Sequence, residues 1–213
     1  HYLLRVLRAR KGDAIEVFDG AGREWSALVK DANPKACRIG SLASIGNRPH
    51  AQPEVHLAQA LIKGDAMDRL LQKATELGVA NVWLLTSEFS QVSAERAEAR
   101  MAHWQKILIS ASEQSRRIYL PELHPPMPIK VFLNTHHGPA VFLLQPESTP
   151  LPRDLARQDT TIIVGPEGGW APSELAAASS HGVAFHSLGN LVLKAETMPL
   201  AALAAVRHAW GWI

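Results

Sequence analysis

The sequence predicts an α/β protein whose β-α alternation starts near residue 50, after a small all-β domain. Before that point, the alternating segments 14–18 and 24–29 flank the turn Asp19-Gly20-Ala21-Gly22, which indicates a hairpin in a small barrel. The polar segment 46–53 is typical of a linker. Beyond it, strand and helix signals alternate, which favours a parallel sheet with helices on both faces. We therefore expect one domain over residues 1–50 and another over residues 51–213.

The α/β part is predicted to open with a buried strand over residues 55–62. Asp65 has the character of a helix N-cap, and apolar residues continue at helical spacing until Gly78 ends the helix. A long helix is expected over residues 94–115, with one apolar stripe facing the core: Ala97, Met101, Trp104, Leu108 and Ala111. Further strands are predicted at residues 82–85, 140–144, 161–164 and 184–188, and further helices at residues 173–181 and 199–210.

Composition excludes several classes of protein. The net charge is +2 and 20% of the residues are charged, so binding of nucleic acid would need a local basic patch. The single cysteine, Cys37, excludes an internal disulfide and a thiolate metal cluster, and the histidines show no metal-binding spacing. Because no signal peptide or membrane-spanning apolar run is present, we expect a cytoplasmic protein without metal or membrane attachment. The chain begins at His1 and not at Met, so further native residues are expected upstream.

The segment IIVGPEGGWAPSEL, residues 162–175, joins a strand to a helix through a glycine-rich turn. Such a turn lies where open α/β sheets bind ligands, and Gly168 and Gly169 would let the backbone approach a ligand closely. The GxGxxG and GKS/T motifs of nucleotide-binding proteins are absent, and Glu167 would repel a phosphate. The turn therefore favours a ligand with cationic or hydroxyl character, and the alternative is a tight connection without a ligand.

A second glycine-containing loop, residues 188–197, also follows a strand and precedes a helix. Three apolar residues at its centre are suited to the wall of a pocket for a flat ring: Leu191, Val192 and Leu193. Polar groups follow at the edge of that wall: Lys194, Glu196 and Thr197. The alternative is a short buried strand followed by a helix that Thr197 caps.

Two basic segments are candidates for RNA binding. Arg116 and Arg117 stand at the end of the predicted long helix, where they either complement the helix dipole or bind phosphates. Near the amino terminus, a basic cluster either follows a nucleic acid backbone or forms a solvated face: Arg5, Arg8, Arg10 and Lys11. The tail that carries Trp210 and Trp212 is suited to docking on another subunit.

Taken in order, four blocks of this sequence resemble the RsmE family of the SPOUT superfamily, the bacterial ribosomal small-subunit RNA uridine-N3 methyltransferases. The similarity extends over nearly the whole chain. The blocks are residues 1–8 with Lys11-Gly12-Asp13 and Phe18-Asp19-Gly20; residues 59–65 and 73–78; Glu113-Gln114-Ser115-Arg116 with Pro121; and residues 165–169 with 188–197.

The resemblance implies a PUA-like β-barrel that helps to bind RNA, followed by a SPOUT domain whose carboxyl-terminal part forms a trefoil knot. It implies a homodimer that uses S-adenosylmethionine to methylate N3 of a uridine in small-subunit ribosomal RNA. The residues expected to hold this cofactor are Leu144, Gly165, Pro166, Glu167, Gly168, Gly169, Leu188, Gly189, Leu191, Val192 and Leu193. The residues expected to bind RNA are Arg5, Arg8, Arg10, Arg116, Arg117 and Lys194.

Catalysis is expected to involve Arg116, which would bind the uracil or an adjacent phosphate, and Glu196, as a base or a positioning group. Three positions depart from the family pattern: Leu191 and Lys194 stand where arginines are usual, and Met198 stands where a small residue is usual. Two alternatives therefore stay open, namely methylation of another atom such as a ribose 2′-hydroxyl, and a non-catalytic RNA-binding factor for ribosome assembly. The intact glycine turn argues against the second alternative.

Overall fold

The computed structural model describes residues 2–5, 8–136, 138 and 140–213. Contacts among these residues separate two compact units. The first contains the described residues up to His50 together with Arg116–Leu120, and the second contains Ala51–Ser115 and Pro121–Ile213. Arg116–Leu120 therefore packs with the first unit, although its neighbours along the chain on both sides belong to the second.

The first unit is built on an antiparallel sheet with the strand order β1-β2-β3. Its elements are α1 (Tyr2–Arg5), β1 (Ala14–Phe18), β2 (Arg23–Asp31) and β3 (Arg38–Asn47). Asp19 holds the β1–β2 turn, because its Oδ1 accepts the backbone N–H of Ala21 at 2.8 Å and that of Arg23 at 3.1 Å. Ala21 also pairs with Tyr119 through an isolated antiparallel bridge, which attaches the segment 116–120 to this unit.

β1 and β2 form the hairpin that the alternating pattern predicts. β3 is not predicted, because all of its residues are exposed except Gly40, which has no side chain to bury. A strand without buried positions lacks the alternation by which strands are recognised in a sequence. Its backbone nevertheless pairs with β2, with register shifts that bend the strand.

The second unit contains a six-stranded sheet in which every neighbouring pair is parallel. Its strands are β4 (Val55–Ala60), β5 (Asn81–Thr86), β6 (Glu122–Pro128), β7 (Ala140–Pro150), β8 (Thr160–Val164) and β9 (Ala184–Ser187). Their order across the sheet is β6-β5-β4-β8-β7-β9. The predicted α/β class with a parallel sheet is therefore confirmed.

Helices cover both faces of this sheet. They are α2 (Asp65–Glu76), α3 (Ala94–Glu98), α4 (Met101–Ser115), α5 (Ile129–Thr135), α6 (Pro172–Ser180) and α7 (Thr197–Ala209). Ile162 packs in one hydrophobic core with α2, α4 and α7, whereas its neighbour Ile163 packs in a second core with α5 and α6. Because successive strand residues point to opposite faces, the two cores lie on opposite sides of the sheet.

Two helix boundaries differ from the sequence-based expectation. α2 begins at Asp65 itself, and its N-cap is Gly64, at φ 61°, without a side-chain cap. The expected long helix is divided into α3 and α4, because the N–H of Arg100 bonds to the carbonyl oxygen of Ala97 at 2.9 Å and tightens the chain into a turn. The predicted stripe still faces the core, since Ala97, Trp104, Leu108 and Ala111 are buried.

β6 is also absent from the sequence-based expectation, because its sequence ELHPPMP contains three prolines. Proline lacks a backbone N–H, so it is confined mainly to edge strands. β6 is the outermost strand of the sheet, which is where such a sequence can pair.

The parallel arrangement determines where a site can form. β4 lies between β5 and β8, and the carboxyl ends of all three strands lie at one edge of the sheet. The segments that leave the sheet at this edge carry Lys63 after β4, Phe89 after β5 and the glycine turn 165–169 after β8.

Candidate functional site

A cavity of about 470 Å³ lies at the carboxyl edge of β7 and β8. Its volume is within the range of about 300–1,000 Å³ that is usual for small-molecule pockets. Three stretches of chain supply its walls: residues 144–146 of β7, residues from 164 to 170 around the glycine turn, and residues from 192 to 198 at the start of α7. All three stretches belong to the second unit.

The glycine turn is tight and closely packed. The N–H of Gly169 donates to the carbonyl oxygen of Pro166 at 3.0 Å, and Gly169 has a left-handed backbone at φ 74°. A Cβ atom on Gly165 would lie 3.0 Å from Nε1 of Trp170, so the missing side chain lets the indole pack over the turn. Trp170 is 7% exposed and forms part of the cavity wall.

Two carboxylates attach this turn and α6 to neighbouring segments. Glu167 Oε1 accepts the backbone N–H of Lys63, after β4, at 3.3 Å. Glu174, in the first turn of α6, is 4% exposed and uses both of its oxygens. Its Oε1 accepts the N–H of Glu88, after β5, and its Oε2 accepts the N–H of Ala171, each at 2.9 Å. The segments that follow β4, β5 and β8 are therefore bonded to one another.

The loop before α7 brings two ionisable side chains to the cavity, Lys194 and Glu196. The carbonyl oxygen of Lys194 accepts the N–H of Thr197 at 2.8 Å and that of Met198 at 2.9 Å, which turns the chain into α7. The N-cap of α7 is Glu196, so the expectation that Thr197 caps this helix is wrong. The Glu196 side chain is half-buried in the cavity wall.

Most residues that the sequence assigns to a cofactor line this cavity: Leu144, Gly165, Pro166, Glu167, Gly169, Val192 and Leu193. Gly168 does not, because it faces Phe89, whose Cβ would lie 2.9 Å from a Cβ on Gly168. Leu188 and Gly189 line a neighbouring cavity of about 690 Å³ beside α7. Gly189 also lines a third cavity, of about 460 Å³, together with Leu191.

The cavity also contains residues that the sequence does not assign to cofactor binding, RNA binding or catalysis: Gln145, Pro146, Val164, Trp170, Ala195 and Met198. The position of Trp170 in the cavity could have been predicted from the sequence, since this residue directly follows the glycine turn. Gln145 and Pro146 carry no such signal, because β7 continues to Pro150 beyond its predicted end at residue 144. Lys194 and Glu196, which the sequence assigns to RNA binding and catalysis, share the wall with Val192 and Leu193.

The basic residues of the amino-terminal cluster belong to the first unit. Arg8 and Arg10 are exposed, and the backbone N–H of Arg10 donates to Oδ2 of Asp13 at 2.7 Å. The side chain of Arg5 lies outside the part of the chain that the structure describes. Because Arg8 and Arg10 are exposed, they are available for contact with a phosphate backbone. Exposed arginines are equally typical of a solvated surface, so both predictions stay open.

Arg116 and Arg117 follow α4, which ends at Ser115. Arg116 is exposed and has a left-handed backbone at φ 56°, whereas Arg117 is half-buried. Both belong to the first unit, while Glu196 belongs to the second.

The carboxyl-terminal tryptophans pack against their own unit. Trp210 is 3% exposed, and its Nε1 donates to the carbonyl oxygen of Ala156 at 3.1 Å. The guanidinium carbons of Arg157 and Arg207 lie 5.9 and 5.1 Å from the centre of the Trp212 ring. The expectation that this tail docks on another subunit is therefore wrong for Trp210, whose ring is already covered.

Among the described residues, no three His, Cys, Asp or Glu side chains are grouped so that they could hold a metal ion. None of the described helices is both long and apolar enough to span a membrane. Metal-free chemistry and a cytoplasmic location stay predictions from the sequence.

Comparison with known proteins gives the class of this fold and site. The family model for the RNA methyltransferase domain matches residues 49–207, and that for the RNA methyltransferase PUA domain matches residues 1–40. The parallel sheet, the cavity at its carboxyl edge and these matches together define an RNA methyltransferase.

Ribosomal RNA small subunit methyltransferase E of Synechocystis is 31% identical over 97% of this chain and 69% of its own length. The protein of that name from Mycobacterium tuberculosis is 32% identical over 94% of this chain and 80% of its own. The chain belongs to the ribosomal RNA small subunit methyltransferase E family. The family and the class of enzyme predicted from the sequence are confirmed.

Two solved structures are similar over 98% of this chain and 88% of theirs, each with 32% identity. A ribosomal RNA small subunit methyltransferase E from Neisseria gonorrhoeae, bound to S-adenosylmethionine, superposes with a TM-score of 0.87. A methyltransferase from Legionella pneumophila, in complex with the same cofactor, superposes with a TM-score of 0.86. The prediction from the sequence that the cofactor is S-adenosylmethionine is therefore confirmed.

Proposed function

We propose that this chain transfers a methyl group from S-adenosylmethionine to N3 of a uridine in small-subunit ribosomal RNA. The observation that carries the proposal is the cavity between the glycine turn and residues 192–198, at the carboxyl edge of a parallel sheet. The cofactor bound in the two similar structures supports it, as do the names of the relatives, which specify small-subunit ribosomal RNA.

The lining of the cavity suits this cofactor. Adenine is a flat ring, and Leu144, Leu193 and Trp170 offer apolar surface on which it can pack. The glycine turn brings backbone polar groups close to the ligand without side chains in between. The sulfonium group is cationic, and the carboxylates of Glu167 and Glu196 in the wall favour a positive charge.

We propose that the cofactor is bound by those of the predicted residues that line the cavity. The first half of the loop that carries Val192 and Leu193 to the cavity wall contains Leu188, Gly189 and Leu191. We assign these three residues an indirect role in cofactor binding, through the position of the loop. Gly168 acts as a spacer in the same turn, because it faces away from the cavity towards the segment after β5.

The atom that must attack the methyl group is N3 of the uracil. In neutral uracil this nitrogen carries a proton, so it is not yet a nucleophile. Bound S-adenosylmethionine supplies an electrophilic methyl group. We assign to Glu196 the removal of the N3 proton or the positioning of the base, since its carboxylate lies in the cavity wall. We assign to Arg116 the binding of the uracil oxygens or an adjacent phosphate, because a guanidinium stabilises developing negative charge. The uracil must leave any base stack before it can enter the cavity.

The remaining parts of the proposal concern the whole chain. Residues 1–50 would form a PUA-like barrel that helps to bind RNA, and residues 51–213 a SPOUT domain whose carboxyl-terminal part is knotted. RNA would be bound by basic side chains of both parts: Arg5, Arg8, Arg10, Arg116, Arg117 and Lys194. Two copies would form a homodimer, and an enzyme that acts on ribosomal RNA would work in the cytoplasm.

Calorimetric titration with S-adenosylmethionine tests the first step, and we expect about one cofactor per chain. Mass spectrometry of small-subunit RNA after reaction then locates the methyl group on a uridine base. Glu196→Gln is expected to keep cofactor binding and to lose about 10²–10⁴-fold in turnover, the usual contribution of a general base. Arg116→Ala is expected to lower turnover, whereas Arg96→Ala, an exposed arginine on α3, is the matched control.

An enzyme that binds no S-adenosylmethionine would refute the proposal as a whole. Methylation of a ribose oxygen would leave the enzyme class intact and remove the assignment to uridine N3. Normal turnover of Glu196→Gln or of Arg116→Ala would remove the role of that residue.

A further inference from the structure

The segment that follows β5, residues 87–90, is a short loop fixed by hydrogen bonds. The N–H of Ser87 donates to Oγ of Ser90 at 3.0 Å, and the N–H of Ser90 donates to the carbonyl oxygen of Ser87 at 3.1 Å. The two hydroxyl oxygens are also 3.0 Å apart. Between them, the N–H of Glu88 is bonded to the buried carboxylate of Glu174. The backbone of this loop is therefore held from both sides.

Phe89 stands at the tip of this loop and is 42% exposed. A single exposed apolar side chain needs no explanation by itself. Phe89 differs because its segment is fixed by Glu174, a carboxylate that is 4% exposed. Removing a carboxylate from water is costly unless hydrogen bonds compensate for the loss. Here those bonds fix the start of α6 and a loop whose tip faces solvent.

The contact with Gly168 places Phe89 beside the cavity. A Cβ on Gly168 would lie 2.9 Å from Cβ of Phe89 and 3.4 Å from its carbonyl oxygen. The missing side chain therefore lets the backbone and Cβ of Phe89 rest on the glycine turn. Glu167 and Gly169, on either side of Gly168, line the cavity. Phe89 is not part of the lining and leaves the cavity free for a cofactor.

We propose that Phe89 is a stacking surface for a nucleobase of the RNA substrate, and that Glu174 is the positioning residue that fixes it next to the cavity. This inference rests on the proposed function, because the base belongs to the RNA that the enzyme methylates. It adds a substrate contact in the second unit that does not depend on any of the arginines.

The chemistry of the loop favours a base over a phosphate as the partner of Phe89. Glu88, its exposed neighbour, carries a negative charge and would repel a phosphate. An aromatic ring accepts every base through its π-face, and such stacking contributes about 1–3 kcal/mol per base in proteins that bind single strands. A base that has been extruded from its stack is commonly held in this way.

Phe89→Ala is a clean test, because alanine keeps the Cβ that rests on Gly168 and removes only the ring. We expect the KM for small ribosomal subunits lacking the modification to rise about 5- to 150-fold, which corresponds to the loss of one stacked base. The Kd for S-adenosylmethionine should stay within about twofold. Phe89→Trp should restore the KM, whereas Phe89→Leu, apolar but without a π-face, should not.

Val131→Ala is the matched control, since Val131 is an equally exposed apolar side chain on α5. A KM within about twofold of wild type for Phe89→Ala, or full restoration by leucine, would overturn the stacking role. A change confined to the Kd for S-adenosylmethionine would also overturn it, since Phe89 would then belong to the cofactor site.

A double-mutant cycle tests the role of Glu174. Glu174→Gln removes the charge and one of two good acceptors, so the loop loosens and the KM for subunits should rise in the same direction as for Phe89→Ala. In the Phe89→Ala background, the same change should have little further effect on that KM. Equal effects in both backgrounds would overturn the positioning role.

Wild-type enzyme in the same assay separates this inference from the proposed function. If the wild-type protein binds S-adenosylmethionine and methylates the subunits, but Phe89→Ala behaves like wild type, the inference fails alone. If the wild-type protein does not methylate them, the proposed function fails first, and the inference with it.

Discussion

Asp68 shows how a single residue can join two helices of this fold. It lies on α2, and its carboxylate accepts Nη2–H of Arg100 at 2.9 Å and Nε1–H of Trp104 at 2.9 Å. Nε2 of His103 lies 2.7 Å from the same carboxylate. All three partners stand between the end of α3 and the first turn of α4. Asp68 therefore anchors the point at which the predicted long helix divides.

The ionisation of Asp68 should make stability depend on pH. Burial raises the pKa of Asp68, but hydrogen bonds from His103 and Trp104 and the charge of Arg100 outweigh it and hold the pKa below the ordinary 3.8. The folded state therefore binds this proton more weakly than the unfolded state. The stabilisation is complete above the ordinary pKa and is lost as pH falls through the lowered folded value.

We expect Asp68→Asn to lower the free energy of unfolding by about 1.5–3 kcal/mol at about pH 7, the usual contribution of hydrogen bonds to a charged group. Urea unfolding of both proteins at decreasing pH is the measurement, and the difference should shrink in acid. Asp65→Asn, which removes the same charge from an exposed position on α2, is the control. A difference that stays constant down to the lowest pH at which both proteins fold would contradict this account.

At the scale of residues, the sequence predicts the centre of the site better than its rim. Gly165, Glu167 and Gly169 could be placed in the cavity wall because a glycine turn at the carboxyl end of a parallel strand is a common place for a ligand, and the resemblance to a known family favours this over a tight connection without a ligand. Met198 and Gln145 reach the cavity only through the packing of α7 and β7, and local patterns carry no information about that packing. The orientation of Gly168 depends on Phe89, which is distant in sequence.

At the scale of elements, the end of α2 is fixed by α7. Gly78 follows α2 with a left-handed backbone at φ 84°. Nη1 of Arg207, on α7, donates to the carbonyl oxygen of Leu77 at 2.9 Å. A Cβ on Gly78 would collide with this guanidinium group. Glycine is therefore needed at position 78 for two reasons. Its backbone is left-handed, and a side chain would collide with the guanidinium group of Arg207.

Gly78→Ala should lower the free energy of unfolding more than the about 1–2 kcal/mol that a left-handed alanine costs. Gly182→Ala is the matched control, because Gly182 has φ 72° and open space around it. The additional loss of unfolding free energy in Gly78→Ala, relative to Gly182→Ala, should disappear in an Arg207→Ala background, because the collision is absent there. Denaturant unfolding of the single and double variants measures this coupling, and strict additivity would show that Arg207 moves aside freely.

The elements that the sequence predicts are those with a buried face. β4 and β8 are short runs that are buried along their whole length, and α2 has apolar residues at helical spacing; all three are found close to their expected bounds. β3 and β6 are missed for opposite reasons, since β3 has no buried face and β6 is rich in proline. The strand order could not be predicted either, because periodicity reports burial and not the identity of the neighbouring strand.

At the scale of the whole molecule, the proposed homodimer has a candidate contact. Leu191 and Val192 are 74% and 86% exposed, in the loop before α7. Aliphatic side chains this exposed are stabilised when a second subunit covers them. Together with Leu193, these two residues make this stretch of the loop apolar.

We expect sedimentation equilibrium to give the mass of two chains at concentrations where the enzyme is fully active. Leu191→Glu should shift the mass towards one chain, because a charge at the centre of an apolar contact is costly. Val131→Glu places the same charge on an exposed aliphatic residue elsewhere and should leave the mass unchanged. Full activity of a wild-type protein with the mass of one chain would refute the dimer.

The walls of the cavity come from stretches of chain that end at Met198, in the first turn of α7. α7 packs in the core with α2 and with residues of β4 and β8, so the cavity needs this last helix in place. A nascent chain in which only β4, β5 and β8 have formed therefore lacks this cavity. During synthesis the cavity is complete only once α7 has been made and has packed against β4, β8 and α2, so methyl transfer cannot precede the folding of this helix.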